Sequence, residues 1–163
     1  MNPVKSTISM LAKKALDRPI DDSWTQWAVD MLEAGFETPN LVILAGEYEP
    51  FNQFYMQELT DNVLKDLSLD YSDTDKIIKR YIHFLIEEAF ANEISFYRVL
   101  QIIYSFYYEL DYADYLTNFY FLYLAKSQLL DYGDQSYWKD ATTKNIDQII
   151  KEESDKWKVQ YEI

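Results

Sequence analysis

His83 is the only histidine in the chain, and there is no cysteine. These two counts decide most of the chemistry at once. A H-E-x-x-H zinc site needs two imidazoles, and disulfides, Cys-ligated zinc and iron–sulfur clusters need thiols. A Ser-His-Asp arrangement has only His83 to use. Arg80, Glu87 and Glu88 lie three to five residues from it, and helical spacing predicts a local Glu87–His83 contact rather than an apposed nucleophile. A carboxylate-bridged diiron bundle needs Glu-x-x-His pairs, but position 80 is arginine. The best calcium-loop candidate, DYSDTDKIIKRY from Asp70, has Asp75 where the loop needs glycine and Tyr81 where it needs glutamate. Asp73 and Asp75 therefore read as a turn and a helix N-cap. Gly35, Gly46 and Gly133 stand alone, so no phosphate-cradling loop is present. The remaining acids are scattered on apparent helix surfaces, without the paired geometry of a glycosidase. No catalytic set, cofactor or metal is expected.

Charge is more informative than motif. The net charge is −13, unevenly spread. Residues 1–18 carry Lys5, Lys13, Lys14 and Arg18 against Asp17, whereas residues 19–75 carry thirteen acids against Lys65 alone. That field repels phosphate backbones and disfavours nucleic acid, and it attracts a basic protein partner. Glu47, Glu49, Glu58 and Asp61 are the acids expected to meet such a partner. The plainer reading of the same charges is acidic solubility.

These residues must be positioned by helices. Apolar residues make up 48% of the chain and aromatics 17%, with three glycines and four prolines, which favours a folded, helical protein. Residues 6–17 show Ile8, Leu11, Ala12, Ala15 and Leu16 at helical spacing, ended by Pro19. The basic helix within residues 1–18, a candidate peripheral element, suits an acidic face of its own domain better than an anionic membrane surface. Asp21-Asp22-Ser23 offers caps for a stripe of Trp24, Trp27, Ala28, Met31 and Leu32 that stops at Gly35. Thr38-Pro39 reads as N-cap and first helical residue of a short helix to Gly46. A helix over 52–67 places Phe51, Phe54, Tyr55, Leu59, Val63 and Leu67 on one side. Ser72 to Asp75 caps the next, and further helices follow over 95–110, 112–130 and 142–161. The expected fold is all-α, a single-domain bundle or short α–α stack of about six to seven helices over residues 1–163.

Eight of the fifteen tyrosines lie between Gln101 and Gly133. A membrane span needs about 20 predominantly apolar residues. The uncharged run here, Tyr115 to Ala125, follows Glu109, Asp111 and Asp114 and precedes Lys126. Base stacking calls for neighbouring Lys or Arg, and residues 99–125 contain neither. The tyrosines then belong to the edge of a core or to a protein-facing surface. Tyr104, Tyr108, Tyr112 and Tyr115 are the candidates for contact with a partner. The charged N-terminus lacks the continuous apolar core of a signal peptide, and a cytoplasmic location is expected.

The hairpin W-x-x-W-A-x-x-M-L-x-x-G-F-x-T-P-N-L-x-x-L-A-G, from Trp24 to Gly46, resembles a pattern in small, acidic, α-helical bacterial proteins of unassigned function. Some of these resemble immunity proteins of contact-dependent toxin systems. The resemblance implies a bacterial origin more than a mechanism, since each residue in the motif already has a packing or capping explanation. The expected function is a non-catalytic protein-binding module, immunity-type, for a basic partner. Two alternatives stay open: a structural or regulatory homodimer that buries the tyrosine-rich helices, and a small-ligand-binding protein with a tyrosine-lined pocket.

Overall fold

The structure, a computed structural model, describes residues 2–161. These residues contain eight α-helices, one 3-10 turn and no strand. The all-α expectation holds, and the expected six to seven helices become eight. The short Thr38-capped segment is a helix in its own right, with Pro39 at its first position and the Leu41 N–H donating to Thr38 Oγ1 at 3.2 Å.

The chain forms two units, residues 1–81 and 82–163. The N-terminal unit holds α1 (Thr7–Ala15), α2 (Ser23–Glu33), α3 (Pro39–Ala45), α4 (Gln53–Asp66) and the first turns of α5 (Thr74–Phe90). In it α2 packs on α1 and α3, and α3 packs on α4. Its core is the stripe the sequence announces: Trp24, Trp27, Ala28 and Met31 are buried with Leu41 and Leu44 of α3. Trp24 and Trp27 meet edge-to-face at 5.6 Å.

The α4 stripe differs from expectation. Met56, Leu59, Thr60, Val63 and Leu64 are buried, whereas Phe54 and Tyr55 are exposed. A polar face on the same helix explains the rotation. Gln53, Gln57 and Asp61, spaced i, i+4, i+8, tie down the preceding segment. Gln53 accepts from Ile20 N–H (2.8 Å) and donates to Ile20 C=O (2.9 Å), while Gln57 donates to Arg18 C=O (3.1 Å). Lys14 of α1 donates to Gln57 Oε1 (2.6 Å) and C=O (3.0 Å) and pairs with Asp61 at 2.7 Å. On the other side of α1, Lys13 pairs with Asp21 at 2.8 Å. Burial by itself raises the Asp21 carboxyl, but bonds from Lys13 and Ser23 outweigh that and hold it below the usual carboxylate range. Of the expected α2 cap candidates, Asp21 is the one that bonds the backbone. It takes the Ser23 N–H at 3.1 Å, and Asp22 makes no side-chain cap bond.

The C-terminal unit holds the rest of α5, then α6 (Phe96–Glu109), a 3-10 turn (Asp114–Leu116), α7 (Thr117–Tyr132) and α8 (Ile146–Gln160). These last three helices pack on one another pairwise. Val99, Leu100, Ile103 and Phe106 of α6 are buried, as are Phe119, Leu122, Ala125 and Leu129 of α7 and Ile146, Ile150 and Trp157 of α8. The helix expected from Tyr112 starts later, because Asp111 and Tyr112 both take left-handed backbone angles (φ 49° and 61°). Two such residues cannot continue a right-handed helix. Tyr112 and Tyr115 consequently precede α7. Gly133, at φ 74°, ends that helix as expected. Residues 134–145 are irregular, and Gln135 holds their turn: its amide donates to Trp138 and Ala141 carbonyls (2.6 and 3.0 Å) and accepts from Tyr137 and Trp138 N–H (both 2.8 Å). Among the described residues no helix is long and apolar enough to cross a membrane.

Candidate partner-binding surface

In the N-terminal unit the chain leaves α3, crosses to α4 and presents an unusual surface on the way. The buried side of α3 is Leu41 and Leu44, which turns Val42 and Ile43 outward, half exposed. Tyr48 in the connection and Phe54 at the start of α4 are 81% and 85% exposed. Large apolar side chains grouped in one segment at such exposure mark interaction sites more than scattered ones do. Glu47 and Glu49 flank Tyr48, and Glu58 stands one turn from Phe54 on α4. Tyr55 donates to Glu47 Oε1 at 3.0 Å, which fixes the connection against α4. Exposed aromatic and acidic side chains thus alternate along residues 47–58.

The four predicted acids therefore divide by role. Glu49 and Glu58 are exposed on this surface, and Glu47 joins it through Tyr55. Asp61 is committed within the fold: it takes the Lys14 ammonium and the Tyr71 hydroxyl, both at 2.7 Å. That bond pushes the Tyr71 phenol up to about 12. Sequence reasoning missed Tyr48 and Phe54. The one available signal was the Met56–Leu59–Val63 series, which competes with the Phe54-centred stripe for the inward face.

The predicted tyrosines lie in the C-terminal unit. Tyr104, half-buried, lies against Tyr123 (4.4 Å between ring centroids) and stacks on Tyr120 (5.4 Å). Tyr107 stacks on Tyr120 at 4.3 Å, and Tyr97 on Tyr123 at 5.8 Å. Tyr108 and Tyr112 are 50% and 56% exposed and meet edge-on at 5.5 Å. Tyr115 is half-buried, meets Tyr161 edge-on at 6.0 Å, and its carbonyl accepts the Trp157 indole N–H at 2.8 Å. Three of the four candidates thus join one α6–α7 aromatic array, in which rings spend much of their surface on each other. Such ring pairs contribute about 0.5–1.5 kcal/mol each beyond area burial.

This array has a titration signature. The Tyr108 and Tyr120 hydroxyls are hydrogen-bonded at 2.9 Å. The bond to Tyr108, then burial, pushes Tyr120 up to about 12 from its ordinary 10.0. The folded chain holds this proton more tightly than the unfolded chain. The resulting stability is complete below the unfolded value near pH 10 and is lost as pH rises through 12. Alkaline titration followed by phenolate absorbance is expected to show a late phase shared by Tyr71 and Tyr120, whose amplitude falls by about half in Tyr120→Phe. An unchanged late phase in that variant would contradict the assignment.

Among the described residues no group of three or more His, Cys, Asp or Glu side chains is placed to hold a metal. Glu87 of α5 feels the charge of the expected His83 and also forms an ion pair with Lys158 of α8. Lys158 is the main cause holding the Glu87 carboxyl below its usual range, and His83 is a lesser one. The fully charged donor has the larger effect on the carboxylate.

No protein-family model, curated protein or solved structure matches the chain. In the Trp24–Gly46 hairpin, the motif residues Trp24, Trp27, Ala28, Met31, Leu41 and Leu44 are buried, while Leu32, Phe36 and Ala45 are partly exposed.

Proposed function

We propose that this protein is a non-catalytic binding module for a basic protein partner, and that residues 42–58 of the N-terminal unit are its docking surface. The observation that carries the reading is the exposure of Tyr48 and Phe54 between Glu47, Glu49 and Glu58. Interface energy concentrates in a few large aromatic anchors surrounded by a polar rim. The charged side chains among residues 42–58 are all acidic, inside a segment with thirteen acids against one lysine, so the complementary partner is cationic. Opposite charge speeds encounter and excludes acidic competitors. An immunity-type role, binding a basic toxin domain, fits this chemistry and the hairpin's resemblance to immunity-like proteins.

The test is affinity capture from a bacterial host at low salt, with wild-type bait beside a Tyr48→Ala/Phe54→Ala bait. The expected result is one basic protein, retained by the wild type, released by salt and absent from the variant. Equal recovery on both baits would overturn the placement of the surface.

A further inference from the structure

We propose that the N-terminal unit also carries a site for a small amphiphilic anion, a phosphomonoester or carboxylate on a short apolar body. The site is a cavity of about 690 Å³ formed by the segment leading into α1, the α4–α5 connection and the start of α5. Its size falls within the roughly 300–1,000 Å³ range of small-molecule pockets.

Two kinds of wall face each other there. Val4, Ile8 and Leu69 supply apolar surface, while Lys5, Lys76 and Arg80 bring three cations to one cavity in a chain of net charge −13. Other bases of this unit are already committed, Lys13 to Asp21 and Lys14 to Asp61. Lys76 and Arg80 are not: among the described residues neither has a carboxylate at ion-pair distance. They stand at i and i+4 on α5, so their heads reach the same side. The cavity's two acids bond to nearby backbone, and Asp70 also feels the Lys76 charge. Asp70 accepts from Ser72 N–H at 2.9 Å and Asp73 accepts from Lys76 N–H at 3.0 Å.

An arginine beside a lysine is suited to a planar carboxylate or a phosphate, through charge-assisted hydrogen bonds. The Ser68 hydroxyl on the lining adds a neutral donor, while that of Ser72 is bonded to Asp70. The apolar wall demands more than a bare anion, because an inorganic ion leaves that surface without a partner. A metal cation does not suit a cavity lined by three cationic side chains. The surrounding acidic field repels a polyanion but admits a small one.

The experiment is isothermal titration of the full chain with octyl phosphate, octanoate and inorganic phosphate, repeated on Lys76→Gln/Arg80→Gln and on Lys65→Gln as a surface control. Both cavity residues are exposed, so the double variant is expected to stay folded, checked by circular dichroism. Saturable binding of octyl phosphate or octanoate is expected, about tenfold weaker in the double variant and unchanged in the control. Inorganic phosphate is expected to bind at least about tenfold more weakly than octyl phosphate. The better of the two octyl ligands assigns the head group. Absence of saturable binding by either, equal affinity in the double variant, or inorganic phosphate binding as tightly as octyl phosphate would overturn the proposal. The cavity shares no residue with the 42–58 surface, so its failure leaves the protein-binding reading untouched.

Discussion

Trp27→Ala is expected to destabilise the N-terminal unit by about 3–5 kcal/mol, the range for deleting a large aromatic from a packed core. Trp27 is buried and packs edge-on with Trp24. It also anchors a polar link. Its indole N–H donates to Thr7 Oγ1 at 2.9 Å, and the Thr7 hydroxyl donates on to Met31 Sδ at 3.7 Å. Thr7 is itself buried, so truncation leaves both a cavity and a hydroxyl oxygen without its indole donor. Trp24 offers an internal control. It is equally buried, but its indole nitrogen has no hydrogen-bond partner. Trp24→Phe removes a donor that was already unsatisfied, whereas Trp27→Phe breaks a bond. Urea unfolding followed by circular dichroism is expected to rank Trp27→Phe as the costlier of the two. The reverse ranking would mean that the indole–threonine bond is not what distinguishes the sites.

Lys14→Ala is expected to cost about 2–3 kcal/mol, near the lower end for breaking a buried charge pair. The Lys14 side chain is only 5% exposed and its ammonium serves three acceptors, two on Gln57 and one on Asp61. Asp61 is 48% exposed, so water screens the pair and its Coulombic share is small. The larger losses are the unpaired Gln57 acceptors and the packing of the lysine stem. Lys14→Met separates these, since it keeps the stem and deletes the charge. Its stability is expected to lie between those of wild type and Lys14→Ala. A methionine variant as stable as wild type would show that the polar bonds contribute nothing net.

The same two residues show what was legible in the sequence and what was not. Trp27 sits in a stripe at i, i+3, i+4, i+7, and local periodicity places such a residue inside without knowledge of its neighbours. The Thr38 cap is legible for the same reason, being a contact within a few residues. Lys14 and Asp61 are far apart in sequence. Asp61 looked like one more exposed acid, and no local pattern announces a lysine folded back onto it. Phe54 was misplaced by a related failure. Its hydrophobicity argued for the core, but Gln53, Gln57 and Asp61 are needed on the face that holds α1 and residues 18–20, and that rotates α4 to turn Phe54 out. At Asp111 and Tyr112 there is no glycine to signal left-handed backbone, so the late start of α7 was invisible. The tyrosine array was readable as a concentration of rings, yet which rings are shared between α6 and α7 depends on their packing angle.

Tyr48 and Phe54 are proposed to anchor a basic partner, with Glu47, Glu49 and Glu58 around them. The most direct measurement is the affinity of that partner, once captured and purified, for wild-type protein and for Tyr48→Ala/Phe54→Ala at low and moderate salt. Loss of two anchors at about 2 kcal/mol or more for the stronger one predicts a weakening of at least roughly 30-fold. Wild-type association is expected to slow as salt rises. Equal affinity of the two proteins, or binding indifferent to salt, would contradict the account.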